Sequence, residues 1–472
     1  MRENYRNSIA SIKKFPQFTT MNVIDGQAGL IICASLIFYS LTIDNILNII
    51  VLLILAGVSI SMLTGDNAIL SKAGQAKEAT RGSQVKEYVD LAATNNAVAE
   101  YAGENKKIRA EVIAELQEQG SLTEDEVNLL KTQDVITIGG IEIDFSVLDA
   151  GLQAGKYAAK TAKYSDGTNI ATIPAGFTVS GFNSEKTISS GLVIYKGDLS
   201  GADWTTGKDA SGNDIKRTYN QYVWIPCTES NYKRTEWGVE EDHGSRSSKD
   251  ETTLSSVTLS DYDKGNGVTS TILNEIVSQI SSEKASIKKY NGFYIGRYEV
   301  GEGNVIMQYK EPSASLKWSK AYSNAKSIDV GSASVSYLSS SYARDTALNF
   351  IQNNSEFKTY AYGSNGTDFN ENWKDKSVTY IDASGASQTK AAGTATRLPT
   401  GVTTAKCNIY DMGGNVTEFT TELNPLTNGD KDATIVFHGG DYNDDSLAGY
   451  RWDGCSASAA GSEGFRATLF IQ

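Results

Sequence analysis

The chain has 472 residues, more than one ordinary core accommodates, so two or three domains are expected. Its 43 Lys and Arg against 56 Asp and Glu leave a net charge of −13, and no basic run occurs in the C-terminal part, which excludes a nucleic-acid surface. Four cysteines (Cys33, Cys227, Cys407, Cys455) without CxxC spacing and two histidines (His243, His438) exclude a zinc site and a multi-histidine metal centre, while one bridge among the last three cysteines stays open.

Residues 1–27 are basic, with Arg2, Arg6, Lys13 and Lys14 ahead of an apolar stretch over 28–63 that is interrupted at Asp44, Asn45 and Asn48. Its second half, Ile46 to Leu63, would span roughly 27 Å as a helix, close to the thickness of a bilayer core of about 30 Å. One long membrane-embedded helix and a hairpin of two short spans broken at Asp44-Asn45 both fit; a cleavable signal peptide does not, because the apolar run is too long. The basic start predicts a cytoplasmic N-terminus and an exported C-terminus. Beyond Leu63, apolar residues recur at helical spacing with Lys72, Lys77, Arg81 and Lys86 on the polar side, so the helix is expected to run over 28–100.

The run IIVLLILAGVSISMLTGDN from Ile49 resembles the N-terminal helix of type IV pilin-like proteins. That resemblance implies a membrane anchor that also packs among pilin-like filament subunits. The sequence departs from the family where its prepilin peptidase would cut: the cleavage glycine aligns with Tyr39, and Asp44 falls at the position of the assembly glutamate.

Residues 101–175 read as a small helix, a hairpin and a linker. LTEDEVNLL from Leu122 has the acidic first turn of a helix, and ITIGGIEIDFSVL from Ile136 alternates around a Gly-Gly turn. The small, polar residues from about 151 to 175 are expected to be the linker. From 176 onward short strands alternate with Gly, Ser, Asn and Asp turns. GLVIYKG, QYVWIPC and NGFYIGRYEVG read as strands, KWSKAYSNAKS and YARDTALNFIQN as helices.

An ordered series follows: YVWIP at Tyr222, GFYIGRYEV at Gly292, WSKAYSNA at Trp318, RLPTG at Arg397, NIYDMGGNVTEFTTE at Asn408, HGGDY at His438 and GFRATLF at Gly464. It resembles the formylglycine-generating-enzyme branch of the C-type-lectin fold. The expected class is therefore α+β: a long N-terminal hydrophobic helix followed by a C-type-lectin-like domain over 176–472. Gly413-Gly414 permit a tight turn, and Glu418, Arg451 and Arg466 are expected to form buried ion pairs. In some relatives the matching loop binds calcium, which the resemblance places on Gly414, Val416 and Glu418. The family's oxidases hold copper on a close cysteine pair, and related sulfoxide synthases hold iron on three histidines. Cys455 alone and two histidines supply neither, so no cofactor and no enzyme is expected.

The window from Asp441 to Ala460, DYNDDSLAGYRWDGCSASAA, lacks Lys, Glu, Gln and Met. A codon AAC or AAT changed freely at its adenines yields only Phe, Ser, Tyr, Cys, Leu, Pro, His, Arg, Ile, Thr, Asn, Val, Ala, Asp or Gly. Every residue of the window but Trp452 belongs to that set. A small-residue loop would also avoid those four types, but a window between a GG motif and a terminal GFR resembles the variable region of retroelement-diversified proteins. The resemblance implies a ligand face on Tyr442, Asn443, Asp444, Asp445, Ser446, Tyr450, Trp452, Asp453, Ser456 and Ser458, whose aromatic and small polar side chains suit adaptable recognition. It implies a surface-displayed, adhesin-like protein of the bacterial cell surface that binds a protein or glycan on another cell or phage. A phage or prophage receptor-binding protein on the same scaffold and a formylglycine-generating-enzyme-like oxidase are the alternatives.

Overall fold

The computed structural model describes residues 51–54, 69–102, 106–235, 237, 250–259, 264–265, 267–353, 355–362, 372–423, 435–443, 448–454 and 461–472. The chain divides into two compact units, Met1–Gln84 with Thr137–Glu142, and Val85–Ile136 with Ile143–Gln472.

The expected class is corrected. The chain is a mixed α/β structure, and among the described residues no helix is long and apolar enough to cross a membrane. The helix that is present, α1 (Ile69–Ala102), carries Lys72, Lys77, Arg81, Lys86 and Asp90, a charge at nearly every turn, which hydrocarbon does not accommodate. Most of the apolar stretch expected to lead into it, residues 28–50 and 55–68, lies outside the described residues.

In the first unit, two glycines bring α1 against the tip of the hairpin formed by β1 (Val135–Ile138) and β2 (Ile141–Asp144). A Cβ on Gly82 would stand 2.2 Å from the Ile138 carbonyl oxygen, and one on Gly139 (φ +57°) would stand 2.3 Å from the Ala79 nitrogen.

In the second unit, the later turns of α1 bury Val85, Val89, Ala92 and Asn96 on one stripe. The Asn96 side chain bonds both the amide and the carbonyl of Lys107 (2.8 and 2.7 Å). Two short helices follow, α2 (Arg109–Glu118) and α3 (Glu124–Leu130). The α3 N-terminus is closed by a capping box, in which Thr123 Oγ1 accepts from the Glu126 amide and Glu126 accepts from the Thr123 amide. Thr123→Ala is expected to cost about 1 kcal/mol in urea unfolding.

The main sheet has seven strands in the order β10-β17-β9-β8-β7-β6-β3, every neighbouring pair antiparallel. The strands are β3 (Tyr157–Ala158), β6 (Phe177–Val179), β7 (Val193–Lys196), β8 (Gln221–Pro226), β9 (Gly292–Gly296), β10 (Ser334–Leu338) and β17 (Ala467–Ile471). Tyr222 and Trp224 enter one core cluster while Val223 and Ile225 enter the other, so both faces are buried. This is why YVWIP and GFYIG read as continuous apolar runs instead of alternating. α5 (Ser270–Tyr290) and α6 (Trp318–Ser327) contribute Leu273, Ile276, Trp318 and Ala321 to the first cluster; α7 (Ser341–Asn353) contributes Ala343, Ala347, Leu348 and Ile351 to the second. The short α4 (Ile215–Thr218) precedes β8.

The segment expected to be a linker belongs to this domain. β3 is an edge strand of the main sheet, and the hairpin of β4 (Ala162–Ser165) and β5 (Ile170–Ile173) buries Tyr164, Ala171 and Ile173 in the first cluster. β11 (Val378–Ile381) and β12 (Ser387–Lys390) form a separate hairpin.

A second sheet of four strands carries the C-terminal motifs in the order β15-β14-β13-β16. Its strands are β13 (Thr417–Leu423), β14 (Ile435–His438), β15 (Arg451–Gly454) and β16 (Glu463–Phe465), with β16 parallel to β13 and the other pairs antiparallel. The terminal GFR crosses between sheets: Phe465 ends β16, Ala467 begins β17, and Arg466 sits at the junction.

Candidate functional site

The signature from Asn408 folds into a turn of left-handed residues. Cys407, Asn408, Asp411 and Asn415 all have φ between +49° and +64°, and Gly414 has φ +128°. Asn415 repays that conformation through its buried side chain, which donates to Glu299 Oε2 (2.7 Å) and the Leu398 carbonyl (3.1 Å) and accepts from the Leu398 amide (2.8 Å) and Asn372 Nδ2 (2.9 Å). Glu299, from the Tyr-Glu-Val ending of the GFYIGRYEV strand, also accepts the Val416 amide at 3.0 Å. The two motifs, more than a hundred positions apart in sequence, are thus joined through one buried carboxyl. Burial and the nearby Asp411 carboxylate push its pKa well above the usual carboxylate range.

The expected ion pairs form: Glu418 pairs with Arg466, and further partners that the sequence did not indicate join them. The Glu418 carboxylate lies between Arg344 of α7 and Arg466, all three buried. Arg466 donates to Glu418 Oε1 (2.8 Å) and to the carbonyls of Gly296, Tyr410 and Asp411 (2.9, 2.7 and 3.3 Å), tying the junction to both sheets. Burial and Arg466 together push the Arg344 guanidinium down to about 9, so it remains charged at neutral pH.

A second network lies further along β13, at Glu422. Glu422 receives the fork of Arg451 (Nε to both oxygens, 3.1 Å), Arg234 (2.5 Å) and His438 Nε2 (2.7 Å). Arg451 reaches on to Asp345 (2.6 Å) and the Thr235 carbonyl (3.1 Å). Arg451 and His438 hold the Glu422 carboxylate far below its ordinary range, although burial opposes them. His438 is driven down to about 3 by burial and by the Arg451 charge, so its imidazole is neutral and donates through Nε2. Among the described residues, His438 is fully buried with its Nε2 paired to the Glu422 carboxylate.

The calcium arrangement implied for Gly414, Val416 and Glu418 is not what these residues form. The Glu418 carboxylate is neutralised by two guanidiniums, and the Val416 amide and the turn at Gly414 are held by Glu299 and Asn415. Two guanidiniums already balance the carboxylate, which opposes a further cation there. Added calcium is expected to leave the thermal unfolding midpoint unchanged, as a chelator titration would check.

The sequence-predicted ligand face divides. Asp441 is buried, and its Oδ1 accepts the Asn443 amide at 2.6 Å, turning the chain outward. Tyr442 is half-buried, with its amide on the Asn415 carbonyl (3.0 Å), and Asn443 is exposed. Trp452 and Asp453 stand in β15, opposite Phe437 and Val436. Tyr450 does not stand on the exposed surface: it is only 7% exposed, because its carbonyl is bonded to Gly439 and the chain is drawn inward there. Asp444, Asp445, Ser446, Ser456 and Ser458 lie outside the described residues, as do His243, Cys33 and Cys455.

Cys227 and Cys407 are buried, and burial pushes the Cys227 thiol up to about 12. Among the residues missed from sequence are Arg344 and Asp345. Their signal was present: a charged pair in YARDTALNFI sharing a helix with Ala347, Leu348 and Ile351, all buried.

No family model matches the chain, and no curated protein matches it. Among solved structures it is similar to one described as "Crystal Structure of CarF", with a TM-score of 0.21 and 17% identity over 39% of this chain and 87% of that one, a likeness too low to inform fold or function.

Proposed function

We propose that the C-terminal part of this protein is a ligand-binding, adhesin-like module displayed at the cell surface, whose binding face is built on the 441–460 window and diversified by a retroelement. The carrying observation is the composition of that window, where all residues but one are reachable from AAC or AAT codons. Its placement supports the reading: Asn443 turns outward from a buried Asp441, above a densely ion-paired scaffold. A rigid base under adaptable polar and aromatic positions is what a changeable binding surface needs.

Binding is favoured over oxidase chemistry because the titratable groups beneath the window are occupied by one another. His438, Glu422, Glu418, Arg344 and Arg466 are all buried and paired. The ligand is a protein or glycan on another cell or on a phage.

Sequencing the locus in sibling strains tests the proposal. Variation concentrated in 441–460, with a reverse transcriptase and a template repeat nearby, is the expected result. An invariant window with neither element would overturn diversification. A neighbourhood of tail genes would assign the same face to a phage receptor-binding protein instead, and stoichiometric copper or iron in purified protein would restore the oxidase.

A further inference from the structure

Within the window the described residues occupy two environments. Asn443 is exposed, whereas Ala448, Gly449 and Tyr450 are buried. Every one of residues 448–451 is tied to a different part of the second unit. The Ala448 carbonyl accepts from Arg344 Nη2 (3.3 Å), and Ala448 packs so closely on the signature turn that a Cβ on Gly413 would stand 3.0 Å from its own. The Gly449 amide donates to the Ala361 carbonyl (3.1 Å), and the Tyr450 carbonyl accepts from the Gly439 amide (3.0 Å). Arg451 pairs with His438 across β14 and β15 and forks to Glu422, Asp345 and the Thr235 carbonyl.

We propose that residues 448–451 are a fixed clamp that pins the middle of the window to the scaffold and is itself exempt from the change that the rest of the window is built for. This rests on the ligand-binding reading of 441–460 and narrows it: the clamp positions the ligand-facing residues and does not touch ligand.

Steric and electrostatic reasons make the clamp intolerant. A Cβ on Gly449 would fall 2.6 Å from the Trp237 ring and 2.7 Å from the Ala361 carbonyl oxygen, so any other residue there displaces backbone. Loss of Arg451 would leave Glu422 and Asp345, both buried, without their shared cation. Asn443 meets no such barrier.

The genetic code allows the exemption. Ala, Gly and Arg can each be written without adenine in the first two codon positions, as Trp452 must be, and adenine-directed change does not reach them where they are written so. Tyr450 always carries one adenine there, whose replacement yields Phe, Ser or Cys, and of these only Phe keeps a buried ring. Tyr450 and Trp452 therefore leave the set of freely variable positions.

The test displays the full chain on cells with positions 442, 443, 448, 449, 450 and 451 randomised one at a time, and sequences the survivors of a protease pulse. Non-native residues at 449 and 451 are expected to be depleted at least about tenfold relative to those at 442 and 443. Arg451→Lys, which keeps the charge, should survive better than Arg451→Gln. Equal tolerance at 443 and 449, or at 443 and 451, would overturn the clamp. Sibling sequences separate the two claims. A window that changes at 442 and 443 while keeping 448, 449 and 451 supports both. One that changes throughout overturns the clamp and leaves the binding face standing. An invariant window removes diversification, and the protease result then decides the clamp by itself.

Discussion

Arg466→Met is expected to lose about 3–5 kcal/mol of unfolding free energy, measured by urea denaturation. The side chain is completely buried, so its removal opens no path for water to replace it. Glu418 would keep only Arg344, and the carbonyls of Gly296, Tyr410 and Asp411 would lose a charged donor at once. Since domains of ordinary stability hold about 5–15 kcal/mol in total, the substitution removes a large share of that stability, and the urea midpoint should fall accordingly. Arg466→Lys keeps the charge but cannot span the same acceptors with one ammonium, so a smaller loss is expected. An unfolding midpoint of Arg466→Met equal to that of the native chain would show that the junction between the two sheets does not depend on this residue.

The second large effect is on pH. Glu251 and Glu283 are completely buried, and burial is the largest cause that raises each from 4.5 to about 7; the Glu422 charge adds to the rise at Glu251. Below pH 4.5 each carboxyl is protonated whether the chain is folded or not. Between 4.5 and 7 the folded chain keeps protons that the unfolded chain releases, so stability falls as pH rises through that window, by on the order of 3 kcal/mol for each group. His438 acts in the opposite sense. Its pKa is lowered from 6.5 to about 3, so its contribution is present above 6.5 and lost as pH falls towards 3. With two carboxyls against one imidazole, the decline towards neutral pH prevails.

Glu283→Gln isolates one of these contributions. Glu283 accepts from Tyr232 (2.7 Å), Ser340 (2.9 Å) and Gln279 (2.9 Å), and the two hydroxyls can turn to accept from an amide. The variant should be about as stable as the native chain near pH 5 and more stable at pH 8, by ~3 kcal/mol. A difference between the two that stays constant from pH 5 to pH 8 would show that Glu283 does not titrate in this window.

Much of the local structure was legible in the residues. KWSKAYSNAKS and YARDTALNFIQN form α6 and α7, and the helix start at Thr123 is closed by the capping box that its spacing announced. ITIGGIEID is a hairpin about its two glycines, and the apolar runs at Tyr222 and Gly292 are central strands. The expected long hydrophobic helix is not among the described helices: α1 carries Lys72, Lys77, Arg81 and Lys86, which the sequence had already placed on a polar side, and most of the apolar run ahead of it lies outside the described residues.

Sequence by itself determined many of the helices, strands and turns, because periodicity, capping and turn chemistry act over a few residues, but the short strands β3, β4 and β5 in the segment read as a linker carried no such pattern. It also marked the 441–460 window by composition, and named Glu418, Arg451 and Arg466 as residues that would need partners. Only the tertiary structure decided who those partners are. Arg344, Asp345 and Glu422 meet them from elements far away in the chain, and pairing energy depends on distances that no local pattern encodes. The same holds inside the window, where Asn443 and Tyr450 share a composition but not an environment, since burial is set by what packs above them.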